Sequence, residues 1–65
     1  MSPDKLAYMA NQIGKFFAHQ PHDKAVSSII DHLQKFWDPR MRIEIIAKRD
    51  AVKLDPLVRE AVDRL

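Results

Sequence analysis

Three of the four prolines in this chain directly follow a residue of the kind that caps helices. The pairs are Ser2-Pro3, Asp38-Pro39 and Asp55-Pro56. A Ser or Asp side chain at the N-cap position accepts a hydrogen bond from a free backbone N–H, and proline at the first helical position has no N–H to leave unpaired. Three such starts within 65 residues leave room for little besides short helices.

Apolar residues recur at helical spacing after each pair, and also after the break around Pro21, with Asp23 as a candidate cap. The spacing predicts four helices, at about residues 3–18, 24–37, 39–52 and 56–65. The first two are separated by a short break, which predicts an antiparallel helical hairpin. We therefore expect an all-α fold: a single small helical domain over residues 1–65, with this hairpin, a third helix and a short C-terminal helix.

The first two helices each carry one apolar stripe, whereas the third is apolar on two sides. The stripe of the first helix comprises Leu6, Met9, Ala10, Ile13, Phe16 and Phe17, with Asn11 on the far side. In the third helix, one side carries Met41, Ile45 and Val52, and the other carries Ile43, Ile46 and Ala47. A helix with two apolar sides is usually covered on both. The hairpin covers one side, so the other is expected to face a partner.

Composition limits how such a chain becomes stable. A core of this size contributes about 3–5 kcal/mol, so small domains usually need disulfides, a metal or a partner. Cysteine is absent, which removes disulfides, thiolate metal sites and cysteine nucleophiles. A binding partner or self-association remains as the source of additional stability. The sequence shows neither a signal peptide nor an apolar run near the roughly 20 residues of a membrane span, so we expect a cytoplasmic protein with no membrane contact.

No pattern in the sequence indicates catalysis or metal binding. His19 and His22 are separated by Pro21, and His32 lies at the edge of the second stripe, so the histidines do not form a convincing ligand set. No nucleophile motif or glycine-rich phosphate loop is present. We expect a chain that is not an enzyme and binds no cofactor or metal. The net charge is only +2 and the charges are interspersed, which argues against nucleic-acid binding.

Four of the five aromatic residues form two adjacent pairs, Phe16-Phe17 and Phe36-Trp37. Neighbouring residues on a helix point about 100° apart, so both members of a pair cannot easily enter one small core. The second pair continues into a capped turn with two arginines and a methionine, ending at Arg42. Residues of these types often anchor protein interfaces. The run can close the hairpin, anchor a partner, or do both.

Several of these residues also form motifs that resemble those of a known protein family. Met9-Ala10-Asn11-Gln12-Ile13 with Phe16-Phe17, followed by His32-Leu33, Phe36-Trp37, Pro39 and Met41-Arg42, resembles the delta subunit of cytoplasmic NAD-dependent formate dehydrogenase over residues 3–46. The resemblance implies a small accessory subunit of a complex. The complex would contain a large alpha subunit with a bis-molybdopterin guanine dinucleotide molybdenum or tungsten cofactor and iron–sulfur clusters. Its beta and gamma subunits would carry FMN and further clusters and reduce NAD.

This resemblance implies that the chain docks on the large catalytic subunit and supports assembly, stability or molybdenum-cofactor insertion. The predicted partner-binding residues are Asn11, Gln12, Phe16, Phe17, His32, Phe36, Trp37, Pro39, Arg40, Met41 and Arg42. Asn11 is singled out because an amide opposite the apolar stripe has no core duty. Arg42 could pair with a carboxylate of the partner or with a pyrophosphate. The alternatives are a free-standing helical regulator that self-associates and a small nucleic-acid-binding module. The isolated chain could also form a homo-oligomer by burying its partner face.

Overall fold

A computed structural model describes residues 1–65 and contains four α-helices and no strand. They are α1 (Pro3–Phe17), α2 (His22–Phe36), α3 (Pro39–Lys48) and α4 (Pro56–Asp63). The predicted all-α fold is confirmed. α3 ends at Lys48 and not near residue 52. Beyond it, Val52 and Leu54 pack against the core from the linker, so burial of the linker replaces the expected last turn of the helix.

The proline pairs begin helices as predicted, although only two of the caps use their side chains. The hydroxyl of Ser2 accepts a hydrogen bond from the Lys5 N–H at 3.2 Å, and the Asp38 carboxylate accepts one from the Met41 N–H at 3.1 Å. The Asp55 side chain caps nothing. The expectation that Asp23 caps α2 is wrong, because α2 already begins at His22 and places Asp23 inside its first turn.

The core is a single cluster to which all four helices contribute. α1 contacts the other three helices, and α4 packs most extensively on α2. The buried residues of the cluster are Leu6, Ala7, Ala10, Val26, Ile29, Leu33, Trp37, Ile45, Val58, Ala61 and Val62. Since α3 contributes only Ile45 as a fully buried residue, most of the core lies between α1, α2 and α4.

The buried face of α1 differs from the stripe that its hydrophobic residues predict. Its buried residues are Leu6, Ala7, Ala10 and Gly14, three of which are small. At 100° per residue, the centre of this face is rotated by about 70° from the centre of the predicted stripe. The rotation arises because small side chains let neighbouring helices approach closely. Met9 and Ile13 are consequently only partly buried at the core's edge.

Gly14 lies where α1 packs directly against Val58 of α4. A Cβ atom at this position would overlap Cγ2 of Val58 and would lie 3.8 Å from Cδ1 of Ile29. The Gly14 backbone is ordinary right-handed helix, so glycine is required here by space and not by conformation. A side chain at this position requires the Val58 side chain or α4 itself to shift.

Ion pairs hold α4 against the α3–α4 linker and the start of α2. Arg59 pairs with Asp63 at 3.0 Å and with Asp50 at 2.8 Å. The hydrogen bond that Arg59 donates to Asp63, and next the one it donates to Asp50, raise the pKa of Arg59 above its ordinary value despite some desolvation. His22 contacts Glu60 at 3.0 Å. These side chains are all at least one-third exposed, so each contact contributes little to stability and mainly fixes where α4 lies.

Replacing Gly14 with alanine is expected to destabilise the protein by about 1–3 kcal/mol through overpacking. In an unconstrained helix the same change would stabilise by about 1 kcal/mol. The free energy of unfolding in urea measures the difference.

The double variant Gly14→Ala/Val58→Ala separates overpacking from other causes, because truncating Val58 removes the overlapping methyl group. Gly14→Ala should be neutral or stabilising in the Val58→Ala background. An equal penalty in both backgrounds would show that Val58 does not set the limit at this position.

Candidate functional site

The structure divides each aromatic pair between the core and the surface. Trp37 is 5% exposed and Phe17 packs against the core from its edge. Their neighbours Phe16 and Phe36 are 72% and 71% exposed. This division follows from the angle of about 100° between successive side chains on a helix. The large apolar side chains of Phe16 and Phe36 therefore remain exposed to solvent.

The two exposed phenylalanines belong to one continuous row of aromatic rings. Phe16 packs edge-on against Phe17, with ring centres 5.1 Å apart. The Phe17 ring lies 6.2 Å from the imidazole of His32, which lies 4.7 Å from the ring of Phe36. The row crosses from the end of α1 to the end of α2. We call Phe16, Phe17, His32 and Phe36 the aromatic row.

A cleft of about 330 Å³ opens beside this row, between α1 and α2. It is lined by Gln12, Ile13, Phe16, Phe17 and His32. Its walls are mostly apolar, and the amide of Gln12 and the imidazole of His32 supply polar groups. A cleft of this size is at the lower end of the range that accommodates ligands, and it is open enough to accept side chains of another protein.

Asn11 points away from the cleft and performs a structural duty that the sequence does not reveal. Its side-chain NH₂ donates to the Lys53 carbonyl at 3.0 Å, and its side-chain oxygen accepts from the Asp55 N–H at 2.9 Å. The amide thus joins α1 to the linker immediately before α4. The argument that Asn11 is free for a partner fails, because both ends of its amide are already paired within the chain.

The guanidinium of Arg42 also has hydrogen-bond partners within the chain. Its Nη1 donates to the carbonyls of Leu33, Gln34 and Trp37, at 3.4 Å and 3.3 Å for the first two. Leu33 and Gln34 lie in the last turn of α2 and Trp37 is its C-cap residue, and the Leu33 carbonyl also accepts the Trp37 N–H. A guanidinium placed there also complements the negative end of the helix dipole. The side chain therefore joins α3 to the end of α2.

The remaining predicted residues lie at the start of α3, away from the cleft. Arg40 is exposed, Pro39 lines a different cleft together with Ile43, and Met41 packs against the core. Ile46, expected on the outer side of α3, also packs against the core, whereas Ile43 is 66% exposed. Of the predicted residues, Gln12 therefore lies beside the aromatic row, whereas the residues of α3 lie apart from it.

Ile13 belongs to the cleft although it was predicted only as a core residue. It lies three residues before Phe16, on the same side of α1. That spacing was visible in the sequence. The rotation of α1 that turns Ile13 toward the cleft is not visible in the sequence. It depends on how closely the other helices approach Ala7, Ala10 and Gly14.

The histidines and several basic residues have separate partners. His19 contacts the Phe16 carbonyl at 3.1 Å, and no group of three or more His, Cys, Asp or Glu side chains is arranged to hold a metal. Lys35 pairs with Asp31 and Arg49 with Asp63, at 3.1 Å and 3.3 Å. The structure has no helix with the length and apolar character needed to cross a membrane.

Replacing Asn11 with alanine should lower the free energy of unfolding by about 1–3 kcal/mol, because two backbone groups lose their partner. Gln12→Ala is the matched control, since it removes an exposed amide without a hydrogen bond from the next position on the same helix. Chemical denaturation of the isolated chain provides the measurement. Equal stability of the two variants would contradict a structural role for Asn11.

The pair at the end of α2 should respond very differently to truncation. Trp37→Ala should cost about 3–5 kcal/mol, enough to unfold much of the population. Phe36→Ala should change stability by no more than about 0.5 kcal/mol, because the ring is largely in solvent. Thermal unfolding followed by circular dichroism distinguishes them. A large loss of stability in the Phe36 variant would show that the aromatic row serves the fold.

Comparison with models of known protein families relates the chain to one of them. Its residues 5–62 match the model of the NADH-dependent formate dehydrogenase delta subunit family, FdsD. Comparisons with curated proteins and with solved structures gave no match. Since the family model spans nearly all of the 65 residues, from the first turn of α1 to α4, the chain belongs to the formate dehydrogenase delta subunit family.

Proposed function

We propose that the chain is a non-catalytic subunit of a cytoplasmic NAD-dependent formate dehydrogenase, and that it docks on the large catalytic subunit to support assembly of the complex. Membership of the delta subunit family supports this function. The observation that carries the docking step is the exposure of Phe16 and Phe36 beside an apolar cleft. Exposed apolar clusters on small proteins commonly mark protein interfaces.

The energetics of the chain favour a partner. Four alanines and Gly14 are among its 13 buried residues, and these contribute less apolar area than leucine or phenylalanine would. A domain of this size has a few kcal/mol of stability to draw on. Burying Phe16 and Phe36 against a large subunit adds stabilisation that the isolated chain lacks, by mass action on the folded state.

Formate oxidation in this proposal belongs to the partner subunits. The large subunit would hold the molybdenum or tungsten cofactor and iron–sulfur clusters, and the other subunits would hold FMN and reduce NAD. The present chain would contribute contacts only. By fixing one surface of the large subunit, it would either stabilise the folded subunit or hold it in a form that accepts the molybdenum cofactor.

Deleting the chain's gene in the native host should lower formate-dependent NAD reduction in extracts, since the large subunit loses its docking partner. The chain carrying an affinity tag should recover a large protein that oxidises formate and contains iron with molybdenum or tungsten. The metal content per large subunit and the subunit ratio provide the measurement. Recovery of the tagged chain alone, together with normal activity in the deletion strain, would contradict the proposal.

Adding purified chain to the complex from the deletion strain distinguishes two modes of support. Recovery of activity without added metal or cofactor would identify a stabilising subunit. Activity that stays low while molybdenum content is also low would place the action during cofactor insertion. Reintroducing the gene is the control, because it should restore activity in either case.

A further inference from the structure

We infer that the cleft beside the aromatic row receives the Phe36 ring of a second copy of this chain, so that the free protein forms a two-fold symmetric dimer. This inference goes beyond the proposed function, which concerns docking on the large subunit. Three properties of the surface point to a second copy. They are the position of an exposed ring beside the cleft, the size of the cleft, and the absence of charged side chains from its walls.

A projecting ring and a cleft lie side by side on one face of the molecule. Phe36 is 71% exposed, and the centre of its ring lies 4.7 Å from that of the His32 imidazole. His32 itself forms part of the cleft wall. Because ring and cleft share one face, a two-fold axis can place each Phe36 ring in the cleft of the other copy. Such a contact closes after two copies and leaves neither ring nor cleft without a partner.

The cleft is large enough to admit a phenyl ring. Its volume is about 330 Å³. An apolar cavity of about 150 Å³ in a protein interior accommodates benzene, so the Phe36 ring of a second copy fits here. Ile13, Phe16 and Phe17 supply apolar walls. The two phenylalanines of the wall can pack edge-on or offset against an incoming ring, which is the arrangement that aromatic pairs prefer.

This cleft is the one among the five on the molecule whose walls contain no Asp, Glu, Lys or Arg. Each of the other four includes at least one such residue. The charges next to His32 and Phe36 in the chain belong to Asp31 and Lys35, which are paired with each other at 3.1 Å. Two copies can therefore meet at this face without like-charge repulsion, and depletion of charge is typical of interface centres.

The apolar area at this face predicts a weak dimer. Phe16 and Phe36, which are 72% and 71% exposed, together present roughly 250 Å² in each copy. A stable interface buries about 800 Å² on each partner, and interfaces that bury less than about 1,200 Å² in total are weak. The second copy therefore covers the rings of the free chain and dissociates when the large subunit docks on the same face.

Sedimentation equilibrium of the isolated chain measures the dimer. The apparent mass should rise from near 7.6 kDa at about 10 μM toward twice that value at about 1 mM. A mass of 7.6 kDa at every concentration would overturn the inference and leave the proposed docking intact, because docking requires only the large subunit. A mass that climbs beyond twice 7.6 kDa would also overturn it, since a closed two-fold contact stops at two copies.

Two substitutions of exposed residues separate the ring from the cleft. Phe36→Ala removes the ring and should weaken the dimer by about tenfold or more. Gln12→Trp fills the cleft from its wall and should weaken the dimer to a similar extent. Tyr8→Ala is the matched control, because Tyr8 is a 64% exposed aromatic residue of α1 that lines a different cleft. Equal effects of Tyr8→Ala and Phe36→Ala, or a stronger dimer in the Gln12 variant, would overturn the inference.

Mixing the two variants tests whether the contact is reciprocal. The Phe36→Ala chain keeps an open cleft, and the Gln12→Trp chain keeps its Phe36 ring. One of the two ring-in-cleft contacts therefore returns in the mixture, which should associate more strongly than either variant alone at the same total concentration. Absence of any gain on mixing would overturn the inference.

Discussion

The close approach of α4 to α1 at Gly14 is the constraint on which the rest of the structure depends. Because no Cβ intervenes, Val58 occupies the space beside the α1 backbone and Ile29 reaches the same point from α2. Ala7 and Ala10 extend this contact surface along α1. A short helix such as α4 has little stability of its own, so it is held by this packing. The path of the linker and the position of α1 follow from it.

The exposed aromatic row is a consequence of the same packing. Once Ala10 and Gly14 face the other helices, the large side chains at Ile13 and Phe16 are turned toward the edge and the solvent. The core therefore uses the small residues of α1, and larger apolar residues remain for the surface. Burying Phe16 in place of Gly14 would require α4 to move outward. The fold thus gains a compact interior and leaves the apolar rings of Phe16 and Phe36 exposed.

Much of the fold could be predicted from the sequence because its signals are local. The Ser-Pro and Asp-Pro pairs mark helix starts through steric and hydrogen-bonding rules that hold within four residues. That Phe36 and Trp37 cannot both enter the core follows from the angle between successive side chains at the end of α2. The angular position of α1 could not be predicted in this way, since hydrophobicity patterns give weight to large residues and the packing here is set by small ones. The end of α3 was missed because Val52 and Leu54 are buried from a linker.

Asn11 and Arg42 show why a resemblance in sequence does not by itself locate a binding surface. Both belong to the motifs that carry the resemblance, and both donate hydrogen bonds to backbone groups outside their own helix. Their partners are main-chain atoms, which leave no trace in side-chain patterns. A family motif can therefore combine residues that build the scaffold with residues that face the partner. In this chain the exposed rings of Phe16 and Phe36 and the amide of Gln12 present free surface, whereas Asn11 and Arg42 do not.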